Sequence, residues 1–390
     1  MNICIIGAGA SGLVSAIAAA RAKASVTVYE HKESPANKIL ITGNGKCNFT
    51  NLYMEADRFH SSTDDRGWTA GILERFGAAD CIEFFESLGI KTRERRGGIY
   101  PYSDTAESVK SALLLELRRL RVNVIYNCGR ISVSEDGIVN GTRYDRVILA
   151  CGGMSAKKTG SDGSGYDILR KLRVSLTPLY PALTPLILKE DLSCIKGVRC
   201  EASLSLLDEN GDITETSSGE LQPYESGLSG ICAMDISSSA CRILGSGRRA
   251  FLEADLLPLF SDEEFKREIL SRRERFPERN LSELLNGLFP KKLINYLVHP
   301  VDTRKQGFED LLVANVKHHR FELSDTMVSD FSRSQTVAGG VPVSDVDENC
   351  GLIGHEGIYV VGELLDVDGV CGGYNLHFAF ATGYIAGECG

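Results

Sequence analysis

The first 30 residues constrain the fold of this chain more than any other stretch. Residues 2–6 read Asn-Ile-Cys-Ile-Ile, an apolar run rich in β-branched residues that is typical of a buried strand. Residues 7–12, Gly-Ala-Gly-Ala-Ser-Gly, lead directly into residues 13–22, which are rich in helix-forming alanine. A second β-rich run, residues 25–29, ends on Glu30. This order of strand, G-x-G-x-x-G turn, helix, strand and acid predicts a dinucleotide-binding βαβ unit.

Each glycine of the turn has its own physical reason. Gly7 allows the tight turn, Gly9 lets the backbone approach a pyrophosphate, and Gly12 lets the helix pack on the strand. The helix that follows offers unpaired N–H groups and a positive dipole to the phosphates. Glu30, 18 residues after Gly12, can accept hydrogen bonds from both hydroxyls of an adenosine ribose. A glycine-rich turn without function is the alternative, and the strand, helix and acid in register disfavour it.

Composition sets the class of protein and narrows its partners. A length of 390 residues suggests two or three domains, and 43% hydrophobic with 24% charged residues is ordinary for a globular protein. The net charge of −9 argues against a nucleic-acid partner held by general electrostatics. Basic residues cluster at 93–96 and 266–279, but acids interleave them, which favours solvated surfaces.

The 12 cysteines are scattered, with no C-x-x-C pair, so we expect no metal site. They are expected to be reduced thiols of a cytoplasmic protein, and the chain enters a strand too early for a presequence. The uncharged residues 370–387 are interrupted by glycines, Asn375 and His377, which argues against a membrane span.

Residues 41–48, Ile-Thr-Gly-Asn-Gly-Lys-Cys-Asn, form an unusual loop in which Gly43 and Gly45 flank Asn44. Such a stretch needs backbone freedom that other residues lack. It either makes a tight turn or folds its N–H groups around an anion or a ring. Composition alone leaves both possibilities open.

Further along the chain, apolar periodicity predicts helices over residues 71–88 and 105–120 and strands over 122–127 and 129–134. Residues 146–153, Arg-Val-Ile-Leu-Ala-Cys-Gly-Gly, predict a second buried strand that ends in a glycine pair. In a doubly wound sheet such a strand end lies at the crevice where cofactors bind.

The pattern changes from about residue 185. Residues 186–188, 202–207 and 231–236 are short apolar or alternating runs separated by turn residues, which predicts an antiparallel β region. Residues 262–298 are charged and helix-periodic, with prolines dividing them into short helices. The sequence therefore predicts a β-rich insertion with a helical extension.

The βα signature returns at the end. Residues 357–363, Gly-Ile-Tyr-Val-Val-Gly-Glu, predict a strand, and the Ala-rich residues 378–387 predict a helix bounded by glycines. The acid that ends this strand could bind a ribityl or ribose hydroxyl, and the N–H groups that open the helix could face the electron-rich end of a ring. The alternative is that this strand and helix have only a structural role. The presence of the N-terminal motif makes that alternative less favoured.

Five stretches together resemble the flavoprotein family called HI-type or aminoacetone oxidase-like FAD-dependent oxidoreductases. Its members include bacterial enzymes assigned to reducing unsaturated 3-oxo bile-acid intermediates. The stretches are residues 7–12 with Glu30, residues 42–51, residues 151–153 with 160–166, residues 339–341, and residues 362–369 with 372–376. The second and the last are specific to this family, and the likeness extends from residue 3 to residue 387.

The resemblance implies an α/β fold whose Rossmann-like FAD-binding domain is built from both chain ends, with an inserted β-rich domain carrying a small helical subdomain. The expected bounds are residues 1–185 and 336–390 for the FAD-binding domain, 186–256 and 315–335 for the β-rich domain, and 257–314 for the helical subdomain.

The resemblance also implies how FAD is held. Residues 7–12 would bind the pyrophosphate, Glu30 the adenosine ribose, and Glu363 the ribityl part. N–H groups of residues 373–376 would meet the flavin pyrimidine edge, where they raise its electron affinity. The full expected set is Gly7, Ala8, Gly9, Ala10, Ser11, Gly12, Glu30, His31, Lys32, Lys38, Gly43, Asn44, Gly45, Lys46, Cys47, Asn48, Ile131, Ala150, Cys151, Gly152, Gly362, Glu363, Gly373, Tyr374, Asn375 and Leu376, with Ile131 contacting adenine.

Several residues depart from the family pattern. Cys151 stands where Thr is usual, Cys371 where a small polar residue is common, and Ile231 where Pro is usual. These positions lie in or near the expected substrate side. These departures leave the identity of the substrate undecided, and they do not affect the expected binding of FAD.

The resemblance implies an FAD-dependent oxidoreductase in which hydride passes from NAD(P)H through flavin N5 to an activated C=C or C=N bond of a small apolar substrate. Only one dinucleotide fold is visible, so NAD(P)H would be a transient co-substrate. One alternative is a flavin oxidase of a small amine that uses oxygen. Another alternative is a non-catalytic or RNA-related flavoprotein. The negative net charge of the chain disfavours it.

The proton donor is not evident from the sequence. Tyr374 and His377 are candidates because they lie in the flavin-facing turn with Asp368 and Cys371. For His377 a packing role is favoured over proton donation. Tyr374 could donate a proton, but an aromatic side chain over a flavin more often forms a wall of the site. The sequence leaves open the substrate, the choice of NADH or NADPH, the electron acceptor and the oligomeric state.

Overall fold

The computed structural model describes residues 1–63, 67–301 and 307–388. It forms two compact units, the first comprising Met1–Leu179 with Phe331–Gly390 and the second Tyr180–Asp330. The finer division into three domains stays a prediction. No helix in the described ranges is both long enough and apolar enough to cross a bilayer.

The helices and strands are numbered along the chain. The helices are α1 (Ala10–Arg21), α2 (Gly67–Arg75), α3 (Ala78–Ser87), α4 (Ala106–Arg119), α5 (Ser164–Lys171), α6 (Ile231–Asp235), α7 (Ser237–Gly245), α8 (Asp262–Arg275), α9 (Leu281–Leu284), α10 (Lys291–Val298), α11 (Phe308–Lys317) and α12 (Tyr374–Glu388). The strands are β1 (Asn2–Ile6), β2 (Ser25–Tyr29), β3 (Thr50–Asn51), β4 (Phe59–His60), β5 (Thr92–Arg95), β6 (Gly98–Pro101), β7 (Asn123–Ile125), β8 (Ile138–Val139), β9 (Thr142–Arg143), β10 (Arg146–Leu149), β11 (Tyr180–Ala182), β12 (Leu186–Ile187), β13 (Cys200–Leu207), β14 (Ile213–Tyr224), β15 (Gly227–Ser229), β16 (Phe251–Asp255), β17 (His319–Glu322), β18 (Thr336–Ala338), β19 (Ile358–Val360) and β20 (Asp368–Gly369).

A parallel five-stranded sheet forms the centre of the first unit, in the order β19-β10-β1-β2-β7. In β1, Ile3 pairs with Arg146 on one side and Val26 on the other, and its side chain is fully buried. Parallel strands covered on both faces favour such apolar runs. The carboxyl ends of β1, β2 and β10 meet at one edge, where open α/β sheets bind ligands. The Rossmann-type α/β fold is confirmed.

The two chain ends meet because α1 and α12 pack closely. A Cβ on Gly383 would lie 2.4 Å from the Ser11 carbonyl oxygen, and one on Gly387 would lie 2.4 Å from that of Ser15. The Ser15 hydroxyl donates a hydrogen bond of 2.8 Å to the Gly383 carbonyl. Glycine lets the backbones approach to this distance, so the first and last helices form one layer of the same unit.

The second unit contains a six-stranded antiparallel sheet in the order β12-β15-β14-β13-β16-β17. Helices α8 to α11 follow β16, and they contribute buried Phe265, Ile269 and Leu312 to a core separate from that of the first unit. The β-rich insertion with helices is thus present.

Three local predictions were wrong. Within residues 231–236, where a strand was expected, Ile231–Asp235 form α6, because a short apolar run does not distinguish a strand from a buried helix. Residues 129–134 form no strand and contribute only the isolated bridge from Val133 to Val139. The helix expected over residues 71–88 is two helices, since Gly77 begins α3 with its N–H bonded to the Asp80 carboxylate at 2.8 Å.

Candidate functional site

The three glycines of the first turn have different surroundings. Gly7 has φ +106°, and a Cβ there would lie 2.4 Å from the Ala150 carbonyl oxygen. A Cβ on Gly12 would lie 1.9 Å from the Gly7 carbonyl oxygen. Among the described residues, apart from its chain neighbours, a Cβ on Gly9 would meet no atom within 4 Å. Two glycines therefore serve packing, and the third faces open space, as close approach to a pyrophosphate requires.

Glu30 is held beside this turn. Its side chain is buried, with Oε2 accepting from the Ala8 N–H and Oε1 from the Lys32 N–H, both at 2.8 Å. His31 Nδ1 lies 3.4 Å from Oε1. A carboxylate can accept about four hydrogen bonds, so this one keeps acceptor capacity for ribose hydroxyls.

Glu363 joins the C-terminal segment to the N-terminal one. Its Oε2 accepts from Lys38 Nζ at 2.6 Å across 325 positions of sequence. Its Oε1 is buried without a hydrogen-bond partner among the described residues, and a Cβ on Gly153 would lie 2.7 Å from it. A buried unpaired carboxylate oxygen is costly. It is therefore the kind of atom to which a ligand hydroxyl donates.

The second glycine loop reaches the start of α12. Gly43, Asn44 and Cys47 have φ of +55°, +53° and +58°, in the left-handed region. Asn48 follows, and its Oδ1 is a second buried acceptor without a partner in the described part of the chain. A Cβ on Gly373 would lie 3.0 Å from this atom. The loop and the opening of α12, predicted from distant sequence stretches, are thus adjacent.

Two cysteines line the predicted site as neutral thiols. Burial raises the pKa of Cys47 to about 12 and that of Cys151 to about 12. The Cys151 thiol donates to the Ile6 carbonyl at 3.4 Å. Neither thiol has the electropositive, lowered-pKa environment of a reactive cysteine.

The remaining predicted residues occupy the ends of these elements. Gly362 donates its N–H to the Thr382 hydroxyl at 3.0 Å, and the Asn375 side chain binds the Gly369 N–H at 2.9 Å and carbonyl at 2.6 Å. Ala10 and Ser11 lie in the first turn of α1, Ala150 and Gly152 follow β10, Gly45 and Lys46 end the second loop, and Leu376 lies in α12.

Ile131 and Lys46 are less closely tied to the site. The Ile131 side chain is buried in the core of the first unit, within an irregular segment, and the Lys46 side chain is exposed. Their cofactor contacts stay predictions.

His377 has a structural environment. It is fully buried, with Nδ1 2.9 Å from the Thr50 hydroxyl and Nε2 3.0 Å from the Phe76 carbonyl. Because a carbonyl only accepts, Nε2 carries the proton and Nδ1 accepts from Thr50. Burial lowers the pKa of His377 to about 4. This neutral, enclosed imidazole supports the packing role over proton donation.

Tyr374 is also committed to packing. Its hydroxyl donates to the Tyr53 carbonyl at 3.1 Å, and its ring meets that of Phe59 edge-on, with centroids 5.8 Å apart. These contacts support the role of a wall for Tyr374, and the two candidates for proton donation stay predictions.

One constellation was missed from sequence. Strand β4 pairs with β20, which sets His60 opposite Asp368, and His60 Nδ1 lies 3.7 Å from Asp368 Oδ2. Asp366 accepts from both the N–H and the hydroxyl of Ser62. The available signal was the pair of acids Asp366 and Asp368, which stand two positions apart and begin three residues after Glu363. Nothing local to residue 60 indicated that it would pair there.

Comparison with known proteins agrees with this geometry. Residues 1–389 match the family described as HI0933-like protein Rossmann domain. The chain belongs to this family. With that membership, the expectation of an FAD-dependent oxidoreductase is confirmed, and the open turn at Gly9 and the unpaired oxygens of Glu363 and Asn48 fit FAD.

Individual relatives differ in what they do. The chain is 40% identical to a 3-dehydro-bile acid delta(4,6)-reductase of Clostridium scindens, covering 99% of this chain and 98% of the relative. It is 27% identical to a ribosomal RNA dihydrouridine synthase of Escherichia coli, covering 98% and 96%. A solved 3-ketosteroid-delta4-(5alpha)-dehydrogenase from Rhodococcus jostii RHA1 aligns with a TM-score of 0.45 at 14% identity, covering 99% and 95%.

Proposed function

We propose that this protein reduces a carbon–carbon double bond conjugated to the ketone of a steroid acid, with NAD(P)H as the electron donor. The observation that carries the proposal is the 40% identity, over 99% of the chain, to a reductase of 3-dehydro-bile acids. The name of that relative describes a 3-oxo steroid with double bonds at positions 4 and 6. Such a bond is electron-poor at its far carbon and accepts hydride there.

The residues of the first unit would hold the cofactor. FAD, when bound, supplies the two-electron hydride chemistry that protein side chains lack. The turn around Gly9 would receive the pyrophosphate, Glu30 the adenosine ribose, and Glu363 Oε1 a hydroxyl of the ribityl part. The N–H groups that open α12 favour negative charge nearby, because the helix dipole is positive at that end.

The donor is proposed to bind transiently. The sequence has one G-x-G-x-x-G turn in a strand–helix context, at Gly7, Gly9 and Gly12, and FAD would occupy it. A nicotinamide would therefore approach the same flavin from outside this motif rather than reside in a second Rossmann unit.

An anaerobic experiment tests the proposal. The purified protein should be yellow, NADH or NADPH should bleach the flavin, and a 3-oxo-4,6-diene bile acid should then restore the colour. The product should carry two more hydrogens and lose its dienone absorbance. Aminoacetone, added in place of the nicotinamide, should leave the flavin oxidised. Bleaching by aminoacetone but by neither nicotinamide would favour the oxidase instead.

A ribosomal RNA dihydrouridine synthase is the second candidate, favoured by the relative of 27% identity. The lower identity and the net charge of −9 weigh against it, since RNA binding relies on neutralising phosphates. Incubating the reduced protein with ribosomal RNA and measuring dihydrouridine by mass spectrometry decides between the two. Dihydrouridine formation with no steroid reduction would replace the proposal by this candidate.

A further inference from the structure

Lys38 forms an ion pair that joins two segments of the candidate cofactor site. Its Nζ donates to Glu363 Oε2 at 2.6 Å, and the two side chains are 25% and 16% exposed. The segment that carries Lys38 is tied to the glycine turn, because the Ala36 N–H donates to the Ala8 carbonyl at 2.8 Å. Glu363 belongs to the short 3₁₀ turn Gly362–Leu364 that follows β19. The ion pair therefore links the turn after β1 to the end of β19.

The two oxygens of the Glu363 carboxylate have different surroundings. Oε2 accepts from Lys38, whereas Oε1 lies beside Gly153, where a Cβ would be 2.7 Å from this oxygen and 3.0 Å from Cδ. The Tyr166 hydroxyl donates to the Glu363 carbonyl at 3.2 Å, which holds the backbone of the same residue. One oxygen is thus fixed by a cation, and the other is a buried acceptor with no hydrogen-bond partner among the described residues.

A lysine at this place has two functional interpretations. It could bind the pyrophosphate directly, since an ammonium group has three donors and is a common partner of phosphate. It could instead act on the carboxylate that it contacts. The short distance from Nζ to Glu363 favours the second interpretation. A carboxylate that is largely removed from water is costly unless an opposite charge pairs with it, and Lys38 provides that charge.

We infer that Lys38 is a positioning residue of the cofactor site, which holds Glu363 in place and does not itself bind the pyrophosphate. The inference rests on the proposed function, in which Glu363 Oε1 receives a hydroxyl of the ribityl part of FAD. Lys38 fixes Oε2 and offsets its charge, so that Oε1 is presented as an acceptor before the cofactor binds. Such preorganisation raises affinity, because fewer groups have to be ordered on binding. The effect of Lys38 on FAD therefore acts through Glu363.

A double-mutant cycle on the FAD-free protein, measured by titration calorimetry, tests this role. The variants are Lys38→Met, Glu363→Gln and the double variant. The probes are FAD and ADP, which has the adenosine and two phosphates but lacks the ribityl chain. Glu363→Gln should weaken FAD binding by about tenfold or more, the value of one charge-assisted hydrogen bond. Adding Lys38→Met to Glu363→Gln should then change FAD affinity by no more than about twofold, because no carboxylate is left for the lysine to hold.

Titration with ADP distinguishes the two interpretations directly. The double variant loses one charge of each sign, so its net charge equals that of the wild type. Its ADP affinity should stay within about twofold of the wild-type value, because ADP has no group for Glu363 to bind. Lys91→Met is the matched control. Lys91 belongs to the same unit and pairs with Glu86 at 3.5 Å, but 80% of its side chain is exposed. This variant should bind FAD and ADP as the wild type does.

Thermal unfolding of the FAD-free proteins gives a second readout. Lys38→Met should lower the melting temperature, because it leaves the Glu363 carboxylate without its counter-charge. Adding Glu363→Gln should recover most of that loss, since removing one partner of a largely buried ion pair costs more than removing both.

Four results would overturn the inference. Two of them make Lys38 a phosphate ligand: a loss of ADP affinity of about tenfold in the double variant, or a similar further loss of FAD affinity when Lys38→Met is added to Glu363→Gln. Neither measurement needs a stable Lys38→Met protein. The third is an additive change of melting temperature in the double variant. The fourth is wild-type FAD affinity in Glu363→Gln, which would also remove the ribityl contact. A wild type that binds no FAD would instead overturn the cofactor site of the proposed function, and the melting temperatures would still decide whether Lys38 holds Glu363.

Discussion

Gly9 and Gly12 lie three positions apart, yet a methyl group should act on them in different ways. At Gly9 it meets no atom of the described residues within 4 Å beyond its chain neighbours, so Gly9→Ala should leave the FAD-free protein as stable as the wild type. The substitution should weaken FAD binding by at least about tenfold, because the pyrophosphate must come where the methyl group lies. At Gly12 a Cβ lies 1.9 Å from the Gly7 carbonyl oxygen, so Gly12→Ala should lower stability by about 1–3 kcal/mol.

Thermal unfolding of the FAD-free variants and fluorescence titration with FAD check both expectations. The comparison is informative because each variant is the other's control. Wild-type FAD affinity in Gly9→Ala would remove the turn from the cofactor site.

Glu30 should contribute a charge-assisted hydrogen bond to the cofactor. Glu30→Ala should cost about 1.5–3 kcal/mol of FAD binding, which is roughly ten- to a hundredfold in affinity. The exposed Glu33, three residues on, provides the matched control Glu33→Ala, which changes the net charge equally. Equal FAD retention by both variants through dialysis would contradict the ribose assignment.

Single residues also mark the limit of what could be predicted. Lys38 and Glu363 were both expected near the cofactor from the family resemblance. Their mutual ion pair joins positions 325 apart, and no local pattern encodes it. The packing role favoured for His377 stays a prediction that its burial supports, but its hydrogen bonds to Thr50 and Phe76 depend on the tertiary fold.

The contact between α1 and α12 tests how the chain ends are held together. Gly383→Ala should destabilise the protein by about 1–3 kcal/mol, because its Cβ would lie 2.4 Å from the Ser11 carbonyl oxygen. Gly71 in α2 is the control, since a Cβ there meets no atom within 4 Å in the described part of the chain. Gly71→Ala should stabilise by about 0.5–1 kcal/mol through helix propensity. Urea unfolding measures both, and a Gly383→Ala protein as stable as Gly71→Ala would refute the close packing.

The burial of His377 in α12 predicts a pH dependence. Its pKa is about 4 in the folded protein, against an ordinary 6.5 for the imidazole. Between these two pKa values the unfolded chain binds a proton that the folded chain does not. The free energy of unfolding therefore falls as the pH drops through this window, and it has its full value above the window. From pH 7 to pH 5 this one group should account for about 2 kcal/mol. Urea unfolding of FAD-free wild type and His377→Gln should differ by that much in their pH response, and equal slopes would contradict the neutral, enclosed imidazole.

Elements were predictable where the pattern was long and were lost where it was short. The helix expected over residues 105–120 is α4, because its apolar residues repeat over several turns. The run at 231–236 became α6, since six residues fit either structure. Strands β4 and β20 have two residues each and exist only through their pairing, so no sequence pattern could reveal them.

At the scale of the whole molecule, the change in pattern near residue 185 indicated the insertion, and the second unit begins at Tyr180. The periodicity changes from buried parallel strands to alternating antiparallel ones, which is a property of the sequence itself. The exact boundary depends on which strands pair, and that is decided by the fold.

The first unit should fold and bind FAD without the second. Its core draws on residues between 3 and 174 and between 341 and 386, whereas the core of the second unit draws on residues between 186 and 327. Every residue expected to contact FAD belongs to the first unit. A chain in which Gly/Ser linkers of two lengths replace residues 180–330 should therefore unfold cooperatively and turn yellow with FAD. The same chain carrying Gly9→Ala should unfold alike and stay colourless. The first core shares no residue with the second. Loss of cooperative unfolding with both linkers would therefore mean that surfaces outside the cores hold the first unit together. The cofactor site would then depend on the intact chain.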